Sequence, residues 1–171
     1  MITVCFHGAE STGKSVLAGQ LSRELGCPWV PEYGRTYCEE HGTDLAMDDL
    51  LGIAEGQQAA VRMAMARRPS LLILDTDQLM TAAWAEMLFD AAPEQLLNYP
   101  RADLYLLFEP DVPWVADGTR FFGTAQERTR FAAIAEAMLV RARVPFGRIS
   151  GNWDARLASV QAAIGALTAQ A

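Results

Sequence analysis

Apolar and polar residues along the chain follow two rhythms. Five short runs, Ile2 to Phe6, Trp29 to Glu32, Leu71 to Asp75, Leu104 to Phe108 and Phe146 to Ile149, read as strands. Leu71-Leu72-Ile73-Leu74 is apolar at every position, the pattern of a strand covered on both faces. Between the runs, apolar residues recur every three or four positions. Lys14 to Leu25 carries Val16, Leu17, Leu21 and Leu25 at that spacing and stops at Gly26 in the C-cap position. Asp48 to Arg67 predicts a long helix with Asp48 as its N-cap, closed by basic residues and Pro69. Helical spacing returns from Gln78 to Phe89. It returns again from about Gln126 to Val144, where Phe131, Ile134, Ala135, Met138, Leu139 and Ala142 share one stripe. The last helix runs from Asn152 to the end.

Strands alternating with helices predict an α/β fold with right-handed crossovers: a five-stranded parallel sheet with helices on both faces, in three layers. The length of 171 residues fits one domain, 1–171. A loop rich in Pro, Asp and Gly, from Asp111 to Gly123, leads into a helix, and the stretch 111–130 is expected to form a lid.

The junction of the first strand and first helix reads Gly8-Ala9-Glu10-Ser11-Thr12-Gly13-Lys14-Ser15. This is G-x-x-x-x-G-K-S, a phosphate-binding loop. Its glycines let successive N–H groups converge on an anion, and the helix N-terminus adds a favourable dipole. These eight residues and Val16 are therefore expected to bind ATP. Lys14 reaches the β- and γ-phosphates, and Ser15 ligates Mg2+. Asp75, closing an apolar strand downstream, is the second expected Mg2+ ligand and a catalytic residue. The fold class is thus that of the P-loop NTPases.

Composition sharpens this. The chain has 13 arginines and one lysine, and that lysine is Lys14. A compact ammonium fits between phosphates where a planar guanidinium does not. With no other lysine, the guanine-reading N-K-x-D of a GTPase switch cannot exist here. A mechanical ATPase with a helical lid domain finds little room in the length. The net charge of -7 argues against nucleic-acid partners. Three cysteines without C-x-x-C spacing argue against disulfide or zinc frameworks. No apolar run reaches a membrane span and the N-terminus lacks a signal-peptide pattern, so a soluble cytoplasmic domain is expected.

A small-molecule kinase needs an acceptor carboxylate and arginines close to the transferring phosphoryl group. Glu32, in Pro31-Glu32-Tyr33-Gly34-Arg35, stands where a base for an acceptor hydroxyl belongs. Arg120, Arg128 and Arg130 flank the lid, and Arg120 and Arg128 are the expected catalytic pair.

Five segments in order carry a family resemblance: the phosphate loop, Val30 to Arg35 (V-P-E-Y-G-R), Ile53 to Gln57 (I-A-E-G-Q), Leu74 to Asp77 (L-D-T-D) and Asp111 to Phe121 (D-V-P-W-V-A-D-G-T-R-F). Together they resemble the ribosylnicotinamide kinase domain of the NadR family. The resemblance implies transfer of the ATP γ-phosphate to the 5′-hydroxyl of nicotinamide riboside. It implies a substrate site built from Glu32, Tyr33, Arg35, Asp77, Trp84, Trp114 and Asp117, the two tryptophans stacking on a pyridinium ring. It also implies an adenine site near Ser150 to Trp153, with Asn152 and Arg156 as ATP contacts. The nucleotidyltransferase and DNA-binding segments of such proteins have no counterpart, so adenylyl transfer and repression are not expected.

Overall fold

The computed structural model describes residues 1–116 and 121–169. Among these residues the sheet has five strands, all parallel: β1 (Ile2–His7), β2 (Trp29–Val30), β3 (Leu71–Asp75), β4 (Leu104–Phe108) and β5 (Phe146–Ile149), in spatial order β2-β3-β1-β4-β5. The helices are α1 (Lys14–Leu25), α2 (Tyr33–His41), α3 (Met47–Met65), α4 (Gln78–Phe89), α5 (Glu94–Leu97), α6 (Ala125–Ala142) and α7 (Trp153–Thr168).

Strand side chains alternate between the two faces, and each face is covered. Val4, Phe6, Leu71, Ile73, Leu106 and Phe108 pack on Leu17 and Leu21 of α1 and on Val160 and Ile164 of α7. Cys5, Leu72, Leu74, Tyr105 and Leu107 pack on Val61 of α3, Leu79 of α4 and Leu139 of α6. The three-layer expectation holds, and the continuous apolar runs are explained by burial on both sides. Each fully buried large side chain contributes about 1.5–3 kcal/mol. A third cluster, with Leu50, Ile53, Met80 and Phe131 among its members, joins α3, α4 and α6.

Strand order places the functional end. The connection after β1 leads toward β2, while the one after β3 leads toward β4 on the other side. The neighbouring carboxyl ends of β1 and β3 therefore diverge into a crevice, where ligands of open α/β sheets bind. The β1–β3 register pairs Phe6 with Asp75, and Thr76 N–H donates to the Phe6 carbonyl at 3.0 Å.

Several boundaries differ from the sequence reading. β2 ends at Val30, and Glu32 is not its last residue but the N-cap of α2. Helix α2 is absent from the sequence reading because its inner face is short, with Tyr33 and Tyr37 packing on the third cluster and no residue buried completely. The N-cap of α3 is Ala46, not Asp48: the Asp49 carboxylate accepts the Ala46 N–H at 2.7 Å, and the cap lies two residues earlier. Helix α6 opens with a reciprocal cap, in which Thr124 accepts from Glu127 N–H and Glu127 accepts from Thr124 N–H. It ends at Ala142, with Arg143 in the left-handed region. Asn152 caps α7, its Oδ1 accepting from Ala155 N–H at 3.0 Å.

Candidate active site

The loop between β1 and α1 is held open at its centre by two glycines in conformations that L side chains avoid. Gly8 has φ 121° and Gly13 has φ 89°. At Gly8 a Cβ would stand 2.6 Å from the Phe108 carbonyl oxygen; at Gly13 it would stand 2.6 Å from Cζ3 of Trp153. Gly13 is also the N-cap of α1, with no side chain capping the helix and no acidic residue in its first turn. The first N–H groups of α1 are thus left for an anion.

Lys14 is folded over the loop, Nζ donating to the carbonyls of Gly8 at 2.8 Å and Ala9 at 2.7 Å. Thr12 Oγ1 donates to the same Ala9 carbonyl at 2.9 Å. Ala9 is itself buried and gives the site only its backbone. The Ser15 hydroxyl is near enough to the Asp75 carboxylate to favour its charged form. Asp75 is almost wholly buried, and its Oδ1 has no partner among the described residues. A hydroxyl beside a carboxylate is a fitting start for a hard cation that takes its remaining ligands from phosphates and water. Burial pushes the Asp75 pKa up, against the pull of the Lys14 ammonium.

A cavity of about 300 Å³ opens from this loop. One wall is the loop itself, with Gly8, Glu10 to Ser15 and the exposed Val16. The opposite side is built by Glu32, Arg35 and Cys38 at the start of α2, by Leu50, Ile53 and Gln57 of α3, and by Met80, Thr81 and Trp84 of α4. Phe121 and Phe131 complete it. The Trp84 ring meets Phe121 edge-on at 5.1 Å, Phe122 at 5.3 Å and Phe131 at 4.6 Å. Desolvation in this cavity, with the Asp75 charge nearby, raises the Glu32 pKa to about 7, while Lys14 and Arg35 pull it down. A carboxyl that titrates near neutrality beside a phosphate-binding loop is suited to taking a proton.

The structure thus brings together the phosphate loop, Glu32, Arg35 and Trp84, with Asp75 against Ser15. Other expected site residues are placed elsewhere. Tyr33 turns its ring onto α3, where a Cβ on Gly56 would be 2.2 Å from its Cε1. Asp77 does not line the cavity; it caps α4 through Leu79 N–H at 2.9 Å and accepts from the buried Tyr105 hydroxyl. Trp114 packs on Gly123 and is not part of the cavity lining, which includes Phe121. Arg128 braces the segment after β4, Nη2 donating to the Val112 carbonyl at 2.8 Å. Arg130 pairs with Asp90 on the surface. Arg156 does not lie open to a base: it is fully buried, and its guanidinium donates to the carbonyls of Gly151, Thr12, Ile149 and Glu109 and to Asp111. The Asn152 side chain is committed to its helix cap. Asp117 and Arg120 lie outside the described residues.

The carboxylate of Glu10 is turned from the phosphate path and accepts the N–H groups of Phe121 and Phe122 at 3.1 Å. Ser11 Oγ accepts the Val115 N–H at 2.9 Å. Glu10 and Ser11 therefore tie the phosphate loop to the segment after β4. Gln57, Cys38 and Phe121 were missed as site residues. Gln57 carried a readable signal, since it extends the apolar stripe of Leu50 and Ile53 with an amide.

An AAA domain family model matches residues 3–156. The chain belongs to that AAA domain family. Over 162 residues it is 31% identical to the trifunctional NAD biosynthesis/regulator protein NadR of Escherichia coli (strain K12) and 30% identical to that of Salmonella typhimurium. Each match covers 90% of this chain and 40% of the relative, so the chain spans less than half the length of these curated relatives. The resemblance read from the motifs is therefore borne out. Among solved structures, NadR in complex with NAD and AMP-PNP superposes with a TM-score of 0.75 at 22% identity, covering 98% of this chain and 49% of that one. A deoxyadenosine kinase from M. mycoides matches with a TM-score of 0.68 at 13% identity, covering 96% of this chain and all of that one. A thymidylate kinase from Ehrlichia chaffeensis matches at 0.65 and 11%, covering 94% and 97%. The family's fold is that of small P-loop kinases. Among the described residues no helix is long and apolar enough to cross a membrane.

Proposed function

We propose that this chain is an ATP-dependent kinase that transfers the γ-phosphate to the 5′-hydroxyl of nicotinamide riboside, giving nicotinamide mononucleotide. The observation that carries the reading is one cavity with a phosphate-binding loop on one wall, a near-neutral carboxyl at Glu32 and an aromatic wall at Trp84. Two solved NadR structures, one with NAD and AMP-PNP and one with NR, share this fold and support the choice of acceptor.

In this reading the N–H groups at the start of α1 hold the β- and γ-phosphates. Lys14 exchanges its carbonyl partners for phosphate oxygens and balances their charge. Ser15 and Asp75 would hold Mg2+, which supplies further neutralisation of the phosphates when bound. Glu32 receives the proton of the acceptor hydroxyl as its oxygen bonds to the γ-phosphorus. The bond from that phosphorus to the β–γ bridging oxygen breaks, and ADP leaves with the electron pair. The Trp84 face suits a pyridinium cation, an attraction of about 0.5–2 kcal/mol. The whole chain acts as one domain, with the stretch 111–130 as its lid.

The test is ADP release from Mg-ATP with and without nicotinamide riboside, beside a panel of ordinary nucleosides. Strong stimulation by nicotinamide riboside, abolished in Lys14→Ala, is the expected outcome. Stimulation by a different nucleoside alone would move the substrate and keep the kinase. A slow rate indifferent to every acceptor would replace the kinase by a regulatory ATPase.

A further inference from the structure

Most buried amides of this protein are accounted for. Gln78 Nε2 donates to the Ala54 carbonyl at 3.1 Å and to Gln58 Oε1 at 3.3 Å. Gln57, one residue along α3, is different. It is 2% exposed, and its Nε2 has no partner among the described residues. Its orientation is fixed by chemistry: Oε1 accepts the Tyr33 N–H at 2.7 Å, and an N–H can only donate, so the NH2 is the end left over. Such a buried, unpaired donor costs about 1–3 kcal/mol. Nothing in the packing of α3 requires an amide there, since Leu50 and Ile53 on the same stripe are apolar. The same residue lines the cavity, as do Ile53, Thr76, Trp84 and Phe121.

We infer that Gln57 determines acceptor specificity: its NH2 donates to an in-plane carbonyl oxygen on the planar ring of the acceptor. The ligand class is a riboside whose ring carries a carboxamide or keto oxygen. A ring without that oxygen leaves the buried donor unpaired, and the site selects against it. Tyr33 acts through Gln57 as a positioning residue, because its backbone N–H sets which end of the amide faces the ligand. This assignment rests on the kinase reading but not on nicotinamide riboside in particular.

The experiment compares nicotinamide riboside with N-ribosylpyridinium, which has the same charged ring without the carboxamide, and includes uridine as a second carbonyl-bearing riboside. Two variants are used. Gln57→Leu removes the amide; Gln57→Met keeps the length of the side chain and a weak acceptor sulfur for the Tyr33 N–H while removing the donor. Melting temperature and the KM for ATP are measured for both. The readout is the ratio of kcat/KM between the two pyridinium ribosides, in which any general attraction for the cation cancels. The native protein is expected to favour the carboxamide by about 5–150-fold. In both variants that ratio falls to within about 3-fold of unity, with the KM for ATP unchanged. If nicotinamide riboside is phosphorylated and the variants keep the native ratio, the role of Gln57 is overturned and the proposed function stands. If uridine is the acceptor and both variants lower its kcat/KM with the KM for ATP unchanged, the role stands and the substrate assignment falls. If no carbonyl-bearing riboside binds or turns over, both fall.

Discussion

The proposed role of Glu32 as the base joins catalysis to stability in a way that one substitution can read. Its carboxyl is pushed from an ordinary value of 4.5 to about 7, first by desolvation and then by the Asp75 charge. The unfolded chain therefore releases this proton at a lower pH than the folded one. Between pH 4.5 and 7 the unfolded state binds fewer protons, so this group makes stability fall as pH rises. Below 4.5 the carboxyl is neutral in both states and the penalty vanishes. At about 1.4 kcal/mol for each pH unit, the full interval gives about 3.4 kcal/mol as an upper bound at pH 8. Glu32 is only partly shielded from water and titrates together with Asp75, which brings the figure to about 1–2 kcal/mol. Glu32→Gln removes the charge with little change of shape. It should raise the melting temperature at pH 8 by about 2–6 °C and leave it unchanged near pH 4. The same variant should lower kcat by about 10²–10⁴ while the KM for ATP holds, because the base is lost and the phosphate loop is not. In the native enzyme kcat/KM should rise with pH and level off above about 7, where Glu32 is ionised. Scanning fluorimetry at the two pH values and a coupled ADP assay supply both readouts. Equal stabilisation at pH 4 and pH 8, or an unchanged kcat, would refute the reasoning.

Two further outcomes follow from packing. Gly56→Ala puts a methyl 2.2 Å from the Tyr33 ring, forcing the ring off α3 and disturbing the entry to α2. Stability should drop by about 1–3 kcal/mol and the KM for the acceptor should rise; an unaltered urea midpoint and KM would remove this contact from the account. Arg156→Met strips the partners from the Glu109 and Gly151 carbonyls, at 3.0 and 2.9 Å, and from Asp111. It should cost about 2–4 kcal/mol in equilibrium urea unfolding. A loss below about 1 kcal/mol would show that water satisfies these groups.

How far the sequence reached can be seen residue by residue. The apolar runs fixed β1, β3 and β4, because burial on both faces favours apolar side chains and leaves a one-dimensional trace. The phosphate loop was legible for a similar reason: Gly8, Gly13, Lys14 and Ser15 serve local backbone geometry and one helix terminus, all within a single turn of chain. Helix α2 left a faint trace, since only Tyr33 and Tyr37 on its inner face are large and apolar and none of its residues is completely buried. The rest of the cavity was harder because its members come from α2, α3, α4 and Phe121, and only packing decides which of their faces meet.

By itself, then, the sequence determined the α/β order, the phosphate cradle, the single lysine at its centre and the family. Tertiary structure decided the rest. Asp77 and Arg156 look like ligand-binding groups in one dimension, yet both are turned inward to satisfy Tyr105, a helix start and the orphaned carbonyls of three loops. Gln57 looks like one polar residue in a helix, yet it is sealed into the cavity wall with a donor left over. Whether a polar side chain serves the fold or a ligand depends on which partners surround it in space. Hydrogen-bond satisfaction is a property of three-dimensional neighbours, and residue type and spacing do not encode it.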